Sequence, residues 1–392
     1  MRQVRRRFVG RSRRDVSPTA SSFSTWQTQA ATWSVDYLAN SRASSPSSSY
    51  PFRHILSLEG HESARERLAS LDDYERTPLV EAPADFAKDL GIASLLVKDE
   101  TDRLGLGSFK GLGGILAVES VVVEAASSPT IVTASAGNHG IGVAAGASRA
   151  NVDCVVYVHE GVGEAQADRI RAQGARVVRV EGTSYEASLR QCRADAAARD
   201  DWHVVQDVSG EGYERVPKRI WEGYTMVARE MIDQLIERGD PLPTHIFVNT
   251  GVGGFANALC GYLWERLGSK RPSFVVVEPT ASACHLESAR AGRKTRAACE
   301  DPTIQVGLDC KEVDPAAYEL LTKGANHFVA VPDESVRPCV ALLEDRVGVR
   351  GGESAVAGLA AIAAAAASDD LREALELDES SRVAIVACEG RV

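Results

Sequence analysis

The chain has 392 residues, of which 44% are hydrophobic and 25% are charged, and its formal net charge is −10 at pH 7. This length and composition are typical of a globular protein with a large core and two or more structural units. The acidic balance argues against a nucleic-acid-binding protein, which usually carries a basic face. No apolar run reaches the roughly 20 residues that a membrane-spanning helix needs, so we expect neither a nucleic-acid partner nor a membrane partner.

Cysteine and histidine spacing bears on metals and on compartment. The eight cysteines include no C-x-x-C pair, and the eight histidines include no H-E-x-x-H motif. These spacings predict no metal site. Scattered cysteines are typical of reduced thiols in a cytoplasmic protein.

Residues 1–50 differ in composition from the rest of the chain. Residues 1–14 contain seven arginines and no acidic residue, and serine and threonine are frequent from there to residue 49. This composition predicts a disordered extension, and it is also typical of an organelle transit peptide of the mitochondrial type. An extension without a targeting role and a misplaced start codon are the alternatives. The folded part is expected to begin near residue 51.

Strand signals alternate with helix signals from about residue 93. The predicted elements are, in chain order, strand 94–100, helix 113–127, a strand entering a glycine-rich turn at 130–140, strand 154–160, helix 164–175, strand 176–182, helix 184–200, extended segment 202–208, strands 244–248, 273–279 and 327–333, a long helix after residue 353, and strand 382–390. Such alternation is typical of βαβ units and parallel sheets. A charged stretch at 232–244 indicates a domain crossing, so we expect two α/β domains separated by a cleft. Ligands of such sheets bind where strands end and helices begin.

The turn at 249–259 follows a predicted strand and opens a helix. Its small residues let backbone N–H groups converge on an anion at the helix N-terminus. The spacing of Gly251, Gly253 and Gly254 does not match G-x-G-x-x-G, and no Gly-Lys-Ser/Thr follows. A single phosphate monoester is therefore the better ligand, with tight strand–helix packing as the alternative.

Two further segments carry candidate chemistry. The turn at 133–142 exposes amides that suit a carboxylate, although a helix-start residue without chemistry is the preferred interpretation of His139. Lys110 lies within the glycine-rich stretch 105–114, a setting expected where a bound molecule approaches the amine closely. A position near a helix N-terminus, together with burial, predicts a lowered pKa for Lys110 and hence a neutral, nucleophilic amine that forms Schiff bases. An exposed charged lysine is the alternative.

Together these segments resemble the fold-type II pyridoxal-phosphate enzymes, the tryptophan synthase β superfamily, and within it the diaminopropionate ammonia-lyases. The resemblance covers roughly residues 50–390, and it rests on the segments 98–114, 135–144, 206–230, 352–361 and 387–392. It implies an α/β fold of two domains, each a largely parallel sheet flanked by helices. Residues 51–108 and 235–392 would form the large cofactor-binding domain and residues 109–234 the small domain.

The resemblance also implies roles for individual residues. Lys110 would form the Schiff base with pyridoxal 5′-phosphate and remove the substrate's α-proton, and Asp207 would act near the substrate's amino end, with a structural cap as its alternative reading. Cofactor contacts would come from Phe109 beneath the ring, Asn138 at the phenolic oxygen, Cys388 at the pyridine nitrogen, and the N–H groups of Gly251, Val252, Gly253 and Gly254 at the phosphate. The substrate would be held by the loop residues Ser135, Ala136, Gly137 and His139.

The implied activity is α,β-elimination from a β-substituted L-amino acid such as 2,3-diaminopropionate, giving a 2-oxo acid and ammonia. One departure from the ammonia-lyase pattern is Ala136, where an aspartate is expected to act as the base for one enantiomer. We therefore expect action on the L-isomer alone. A serine/threonine dehydratase, a cysteine synthase-like β-replacement enzyme and a non-catalytic pyridoxal-phosphate-binding protein are the alternatives. By analogy with the fold, a homodimer is expected.

Overall fold

The computed structural model describes residues 23–182 and 184–391, which form two sheets flanked by helices. The strands are β1 (Asp36–Ala39), β2 (Leu79–Glu81), β3 (Ser94–Asp99), β4 (Thr130–Ala134), β5 (Cys154–His159), β6 (Arg176–Val180), β7 (Trp202–Val204), β8 (His245–Asn249), β9 (Ser273–Pro279), β10 (His327–Val331) and β11 (Arg382–Ala387). The helices are α1 (Phe23–Ala30), α2 (Leu58–Ala69), α3 (Ala84–Asp89), α4 (Lys110–Glu124), α5 (Asn138–Arg149), α6 (Glu164–Arg171), α7 (Tyr185–Ala197), α8 (Arg215–Arg238), α9 (Gly254–Leu267), α10 (Cys284–Ala291), α11 (Pro315–Gly324), α12 (Val336–Leu342), α13 (Ala357–Ala366) and α14 (Asp369–Ala374).

The larger sheet has seven strands in the order β1-β10-β9-β8-β11-β3-β2. Its central pairs are parallel, and the strands at both edges pair antiparallel to their neighbours. The central strands are buried over almost their whole length; all five residues of β8 and of β10 are buried. Continuous apolar strands of this kind are typical of a parallel sheet covered by helices on both faces.

The smaller sheet has four parallel strands in the order β6-β5-β4-β7. Helix α4 leads into this sheet and packs closely against α5 and α8. A Cβ atom on Gly114 would lie 2.4 Å from the backbone carbon of Gly142, and one on Gly113 would lie 2.7 Å from the carbonyl oxygen of Ile220. These two glycines therefore allow close packing of the helices. The sequence analysis explained the glycines of this stretch by the close approach of a bound molecule instead.

The predicted fold class, α/β with largely parallel sheets flanked by helices, is confirmed. The strands of the smaller sheet all lie between residues 109 and 234. The domain boundaries themselves stay a prediction, because α8 runs through residue 234 without a break. Among the residues that the structure describes, no helix is long and apolar enough to cross a membrane.

The prediction that the folded part begins near residue 51 is wrong for residues 23–50. Helix α1 places Trp26 in the core, where its ring meets Phe86 edge-on with 6.5 Å between centroids. Strand β1 pairs antiparallel with β10 at the edge of the larger sheet. Residues 1–22, which carry the arginine-rich segment and the targeting prediction, lie outside the described residues.

Candidate active site

Lys110 is the first residue of α4, which places its side chain at the positive end of a helix. Its Nζ lies 2.7 Å from Oδ2 of Asp207 and 5.4 Å from the ring centroids of both Phe109 and Tyr224. The lysine and aspartate side chains are 23% and 15% exposed, so both groups are partly accessible to solvent. The structure thus brings together the two residues predicted to be catalytic.

The charges of this pair correct one prediction. Burial by itself lowers the pKa of Lys110, as the sequence predicted, but Asp207 and Tyr224 outweigh burial and hold the pKa well above its ordinary value. Burial likewise raises the pKa of Asp207, but the positive charges of protonated His139 and of Lys110 hold it well below its ordinary value. The expected neutral amine is therefore wrong for this arrangement, in which an ammonium ion faces a carboxylate.

His139 lies behind Asp207, on its buried side. Its Nε2 is 3.1 Å from the Val205 carbonyl oxygen, which can only accept, so Nε2 carries the hydrogen. Its Nδ1 is 3.6 Å from Oδ2 of Asp207 and has no hydrogen-bond partner among the described residues. Burial, opposed by Asp207 and aided by Lys110, lowers the pKa of His139, so the ring is neutral near pH 7.

The loop between β4 and α5 holds the other predicted substrate residues. Oγ of Ser135 accepts from the backbone N–H groups of Gly137 and Gly140, at 3.2 and 3.1 Å, which fixes the turn that opens the helix. Gly137 is exposed and Ala136 is half-buried. The alanine methyl group cannot carry a proton, so this side of the cleft lacks the base that the ammonia-lyase pattern provides.

Asn138 contacts Glu389, the residue that follows Cys388 and that the sequence analysis did not select. Asn138 donates from Nδ2 to Oε2 of Glu389 at 2.7 Å, and the backbone N–H of Ser354 donates to Oε1 at 3.2 Å. The Cys388 thiol is buried and donates to the Ser354 carbonyl at 3.3 Å. Burial raises the pKa of the Cys388 thiol to about 12, so it presents a neutral group to the site.

The predicted phosphate loop connects β8 to α9. Gly253 has a φ of +109° and precedes the helix, and a Cβ atom there would lie 2.5 Å from Nε2 of His285. The Val252 carbonyl accepts from His285 Nε2 at 3.1 Å and from the Asp314 N–H at 2.8 Å. Other groups thus engage that carbonyl. The first backbone N–H groups of α9, a helix of 14 residues, have no partner within the helix and can bind an anion.

Glu278 supports this loop from behind. Its buried carboxylate accepts from the backbone N–H groups of His285 and Leu286, each at 2.8 Å, at the start of α10. Burial raises the pKa of Glu278 to about 8, against the two backbone hydrogen bonds, which lower it. The carboxyl group fixes the backbone of His285, whose ring donates to the Val252 carbonyl.

A buried ion network anchors the chain just before Lys110. Glu230 accepts from Lys98 Nζ and from Arg103 Nη2, both at 2.7 Å, and Arg103 also pairs with Glu100 at 2.7 Å. All four side chains are at most 2% exposed. Two cations and two anions balance each other, so the network fixes β3 and the following turn against α8.

Sequence reasoning missed three further residues near the cleft. Tyr224 lies beneath the lysine amine, and Asn249 ties the end of β8 to the Val386 carbonyl at 3.0 Å. Tyr185 is 42% exposed and accepts at its hydroxyl from Gln206 Nε2 at 2.6 Å. Only the position of Asn249 at the end of a predicted strand offered a signal; the two tyrosines lie on helices, where aromatic residues usually serve the core.

Comparison with known proteins agrees with this geometry. The family described as pyridoxal-phosphate dependent enzyme matches residues 71–389, and the chain therefore belongs to that family. Among its relatives is the diaminopropionate ammonia-lyase of Escherichia coli (strain K12), which is 30% identical over 351 residues, or 83% of this chain and 87% of the relative. The enzyme of the same name from Salmonella typhimurium is 31% identical over 82% of this chain and 86% of its own length.

Solved structures give the same result. The Escherichia coli diaminopropionate ammonia-lyase in complex with an aminoacrylate-PLP azomethine reaction intermediate superposes with a TM-score of 0.83 and 29% identity, covering 91% of this chain and 94% of that one. The structure of that enzyme with D-serine has the same TM-score and coverage at 28% identity. These similarities confirm the predicted family, the fold class and pyridoxal 5′-phosphate as the cofactor.

The residues of the site fit this cofactor. Lys110 offers an amine for its aldehyde, the N-terminus of α9 offers N–H groups for its phosphate, and the thiol of Cys388 offers a neutral group for its ring nitrogen. Phe109 is buried and stacks on Phe255 with 4.0 Å between ring centroids, so the two rings form an apolar floor beside the lysine. The individual roles that the resemblance implied for these residues stay predictions.

Proposed function

We propose that this protein is a lyase that carries out α,β-elimination on a β-substituted L-amino acid. The substrate we favour is L-2,3-diaminopropionate, which with one water molecule gives pyruvate and two molecules of ammonia. The observation that carries the proposal is the contact of 2.7 Å between Lys110 Nζ and Asp207 Oδ2. Its support is the similarity to the diaminopropionate ammonia-lyases over more than four fifths of the chain.

The chain's own groups supply the proton movements. When bound, pyridoxal phosphate withdraws electrons from the substrate's α-carbon and so makes the α-proton acidic. The neutral amine form of Lys110 takes that proton, and the ammonium ion that results faces Asp207. The short distance between Nζ and Oδ2 allows a direct transfer between the two groups.

Asp207 then protonates the amino group that leaves from the β-carbon. A primary amine leaves as ammonia only after it has gained a proton, and the electron pair of the breaking C–N bond departs with it. Asp207 receives a proton from Lys110 and donates it to the β-amino group, so the proton lost by the lysine reaches the leaving nitrogen. His139 lies against the same oxygen, and its neutral ring adds no competing positive charge.

The loop residues orient the substrate. The N–H groups of Ser135, Gly137 and Gly140 already donate within the protein, so the substrate's carboxylate would meet the other N–H groups of this turn. The amide of Asn138 is held by Glu389 and keeps its second N–H for the ring oxygen of the cofactor. Because Ala136 cannot accept a proton, Lys110 is the single base at the α-carbon. The proposed enzyme therefore acts on the L-isomer alone.

Product analysis tests the proposal. The purified protein, supplied with pyridoxal phosphate, is incubated with L- and D-2,3-diaminopropionate, L-serine and L-threonine, and the 2-oxo acid and ammonia are measured. We expect two ammonia per pyruvate from the L-diamino acid and no turnover of its enantiomer. Equal rates with both enantiomers would refute the single-base mechanism, and a higher rate with L-serine or L-threonine would favour a dehydratase.

Covalent trapping tests the role of Lys110 separately. Borohydride reduction of the cofactor-loaded protein should attach the cofactor to the peptide that contains Lys110. Lys110→Ala should abolish both the attachment and the visible absorbance band of the lysine-bound cofactor. Labelling of a different lysine would overturn the assignment.

Two further measurements separate the alternative functions from the proposed one. A β-replacement enzyme would give a new amino acid when a thiol is present, whereas the proposed lyase continues to give pyruvate. A non-catalytic cofactor-binding protein would show the absorbance band but release no 2-oxo acid from any substrate. The homodimer and the cytoplasmic or organellar location stay predictions, which light scattering and a fluorescent fusion to the full chain would test.

A further inference from the structure

Trp221 on α8 places the nitrogen of its indole ring beside Gly254, the last residue of the predicted phosphate loop. Nε1 of Trp221 is the atom nearest to the place where a Cβ atom on Gly254 would lie, at 2.6 Å, and the neighbouring ring carbon is farther away, at 3.1 Å. Trp221 is 2% exposed. Its Nε1–H has no acceptor among the residues that the structure describes.

The direction of a Cα–Cβ bond locates the indole relative to the helix. In an α-helix this bond tilts toward the N-terminus, and Gly254 is the first residue of α9. The indole N–H therefore lies beside the N-terminal opening of the helix, where the free backbone N–H groups converge. Only a glycine at position 254 leaves room for the ring edge.

Burying an N–H group without an acceptor is energetically unfavourable. Such a group in a native protein usually pairs with a water molecule, an ion or a ligand that the chain itself does not supply. Trp264 shows the ordinary arrangement: it is equally buried, and its Nε1 donates to the Ser48 carbonyl at 3.0 Å. The Val252 carbonyl of the loop is already engaged, because it accepts from His285 and from the Asp314 N–H. A ligand bound at the loop can supply the acceptor that Trp221 lacks.

The position of Trp221 on α8 agrees with this assignment. Residues three apart lie on the same face of a helix, and Tyr224, three residues after Trp221, lies beneath the amine of Lys110. One face of α8 thus reaches both the lysine and the glycine loop. A single ligand that contacts both places would lie along this face.

We propose that the indole N–H of Trp221 donates a hydrogen bond to the phosphate group of the cofactor, beside the backbone N–H groups of the glycine loop. This inference rests on the proposed function, because it takes the loop at Gly251–Gly254 to bind the cofactor's phosphate. It adds a side-chain donor to a site otherwise built from backbone groups. The bond would favour the phosphorylated cofactor over its unphosphorylated form.

Affinity measurements with and without the phosphate test the proposal. Trp221→Phe removes the N–H group and keeps an apolar ring, and Trp264→Phe is the matched control, since it removes an N–H group that is paired with a carbonyl. Equilibrium binding of pyridoxal phosphate and of pyridoxal is followed by the absorbance of the lysine-bound form. We expect Trp221→Phe to weaken pyridoxal phosphate about 10- to 100-fold, as for a hydrogen bond to a charged group, and to change pyridoxal by less than about twofold.

A second measurement needs no change at Trp221. In the wild-type protein labelled with ¹⁵N at the indole nitrogens, inorganic phosphate should shift the Trp221 indole proton downfield, with the resonance assigned by elimination from variants of the other four tryptophans. The inference is overturned if Trp221→Phe weakens both cofactor forms equally or neither, or if phosphate leaves this resonance unmoved. If the wild-type protein itself fails to bind pyridoxal phosphate, the proposed function falls as well, so the two failures are distinguishable.

Discussion

Replacing Asp207 with asparagine keeps the shape of the side chain and removes the charge that faces Lys110. At 2.7 Å and an effective dielectric constant of about 20, the attraction between the two unit charges is about 6 kcal/mol. The side chains are 23% and 15% exposed, so solvent screens part of this attraction, and the desolvation of both ions offsets more. A net loss of about 3 kcal/mol is therefore expected.

This loss predicts a decrease in activity of about 10²-fold, because 1.36 kcal/mol corresponds to a factor of ten in rate. The same value lies at the lower end of the 10²–10⁴-fold range for a positioned acid–base group. The assay is the initial rate of pyruvate release from L-2,3-diaminopropionate, coupled to lactate dehydrogenase. Asp195→Asn is the matched control, because Asp195 accepts from the Tyr157 hydroxyl at 2.5 Å on the small sheet.

The Asp207→Asn variant should also change the pKa of the Lys110 amine. Asp207 holds the pKa of Lys110 above its ordinary value, so Asp207→Asn should lower that pKa and raise the neutral fraction at any given pH. Modification of Lys110 by trinitrobenzenesulfonate, followed by peptide mass spectrometry, should therefore become faster between pH 7 and 9. If the variant keeps more than a tenth of the wild-type activity and its lysine reacts at the wild-type rate, the reasoning about this pair is refuted.

Three further predictions concern stereochemistry and stability. Ala136→Asp places a carboxylate on the side of the cleft that lacks a base, and we expect turnover of D-2,3-diaminopropionate to rise at least about 10²-fold above the wild-type background. Glu230→Gln leaves Lys98 and Arg103 with an uncompensated buried charge, and urea unfolding should show a loss of about 3–5 kcal/mol. Glu278 has a pKa of about 8 in the folded protein against an ordinary value of 4.5. The unfolded chain loses this proton first, so the wild-type free energy of unfolding should fall as pH rises through that interval, and Glu278→Gln should lack that part of the fall.

Each of these predictions has a contradicting outcome. D-isomer activity in the wild-type protein equal to that of Ala136→Asp would show that a different base serves this enantiomer. A loss below about 1 kcal/mol in Glu230→Gln would mean that the network is not balanced by that carboxylate. Parallel pH profiles of unfolding for the wild type and Glu278→Gln would show that this carboxyl group titrates alike in both states.

The sequence by itself determined the class of fold and selected most residues of the candidate site. Strands β3, β4, β5 and β6 begin where they were predicted, because alternation of apolar runs and turn residues is a local property of the chain. The extended segment predicted at 202–208 is shorter in the structure. Strand β7 ends at Val204, and the chain then turns toward Asp207. The glycine loop was found because it follows a strand and opens a helix, and Lys110 because it lies in a glycine-rich stretch that leads into a helix.

Only the tertiary structure decided which groups meet. Lys110 and Asp207 are 97 residues apart, and Asn138 and Glu389 are 251 apart, so no local pattern records either contact. The charge of Lys110 followed from that distant carboxylate, which reversed the shift expected from the helix end and burial alone. Gly114 likewise looked like part of a binding loop until α5 was found against it. Propensity and spacing act over a few residues, whereas pKa values and close packing depend on neighbours that folding brings from elsewhere in the chain.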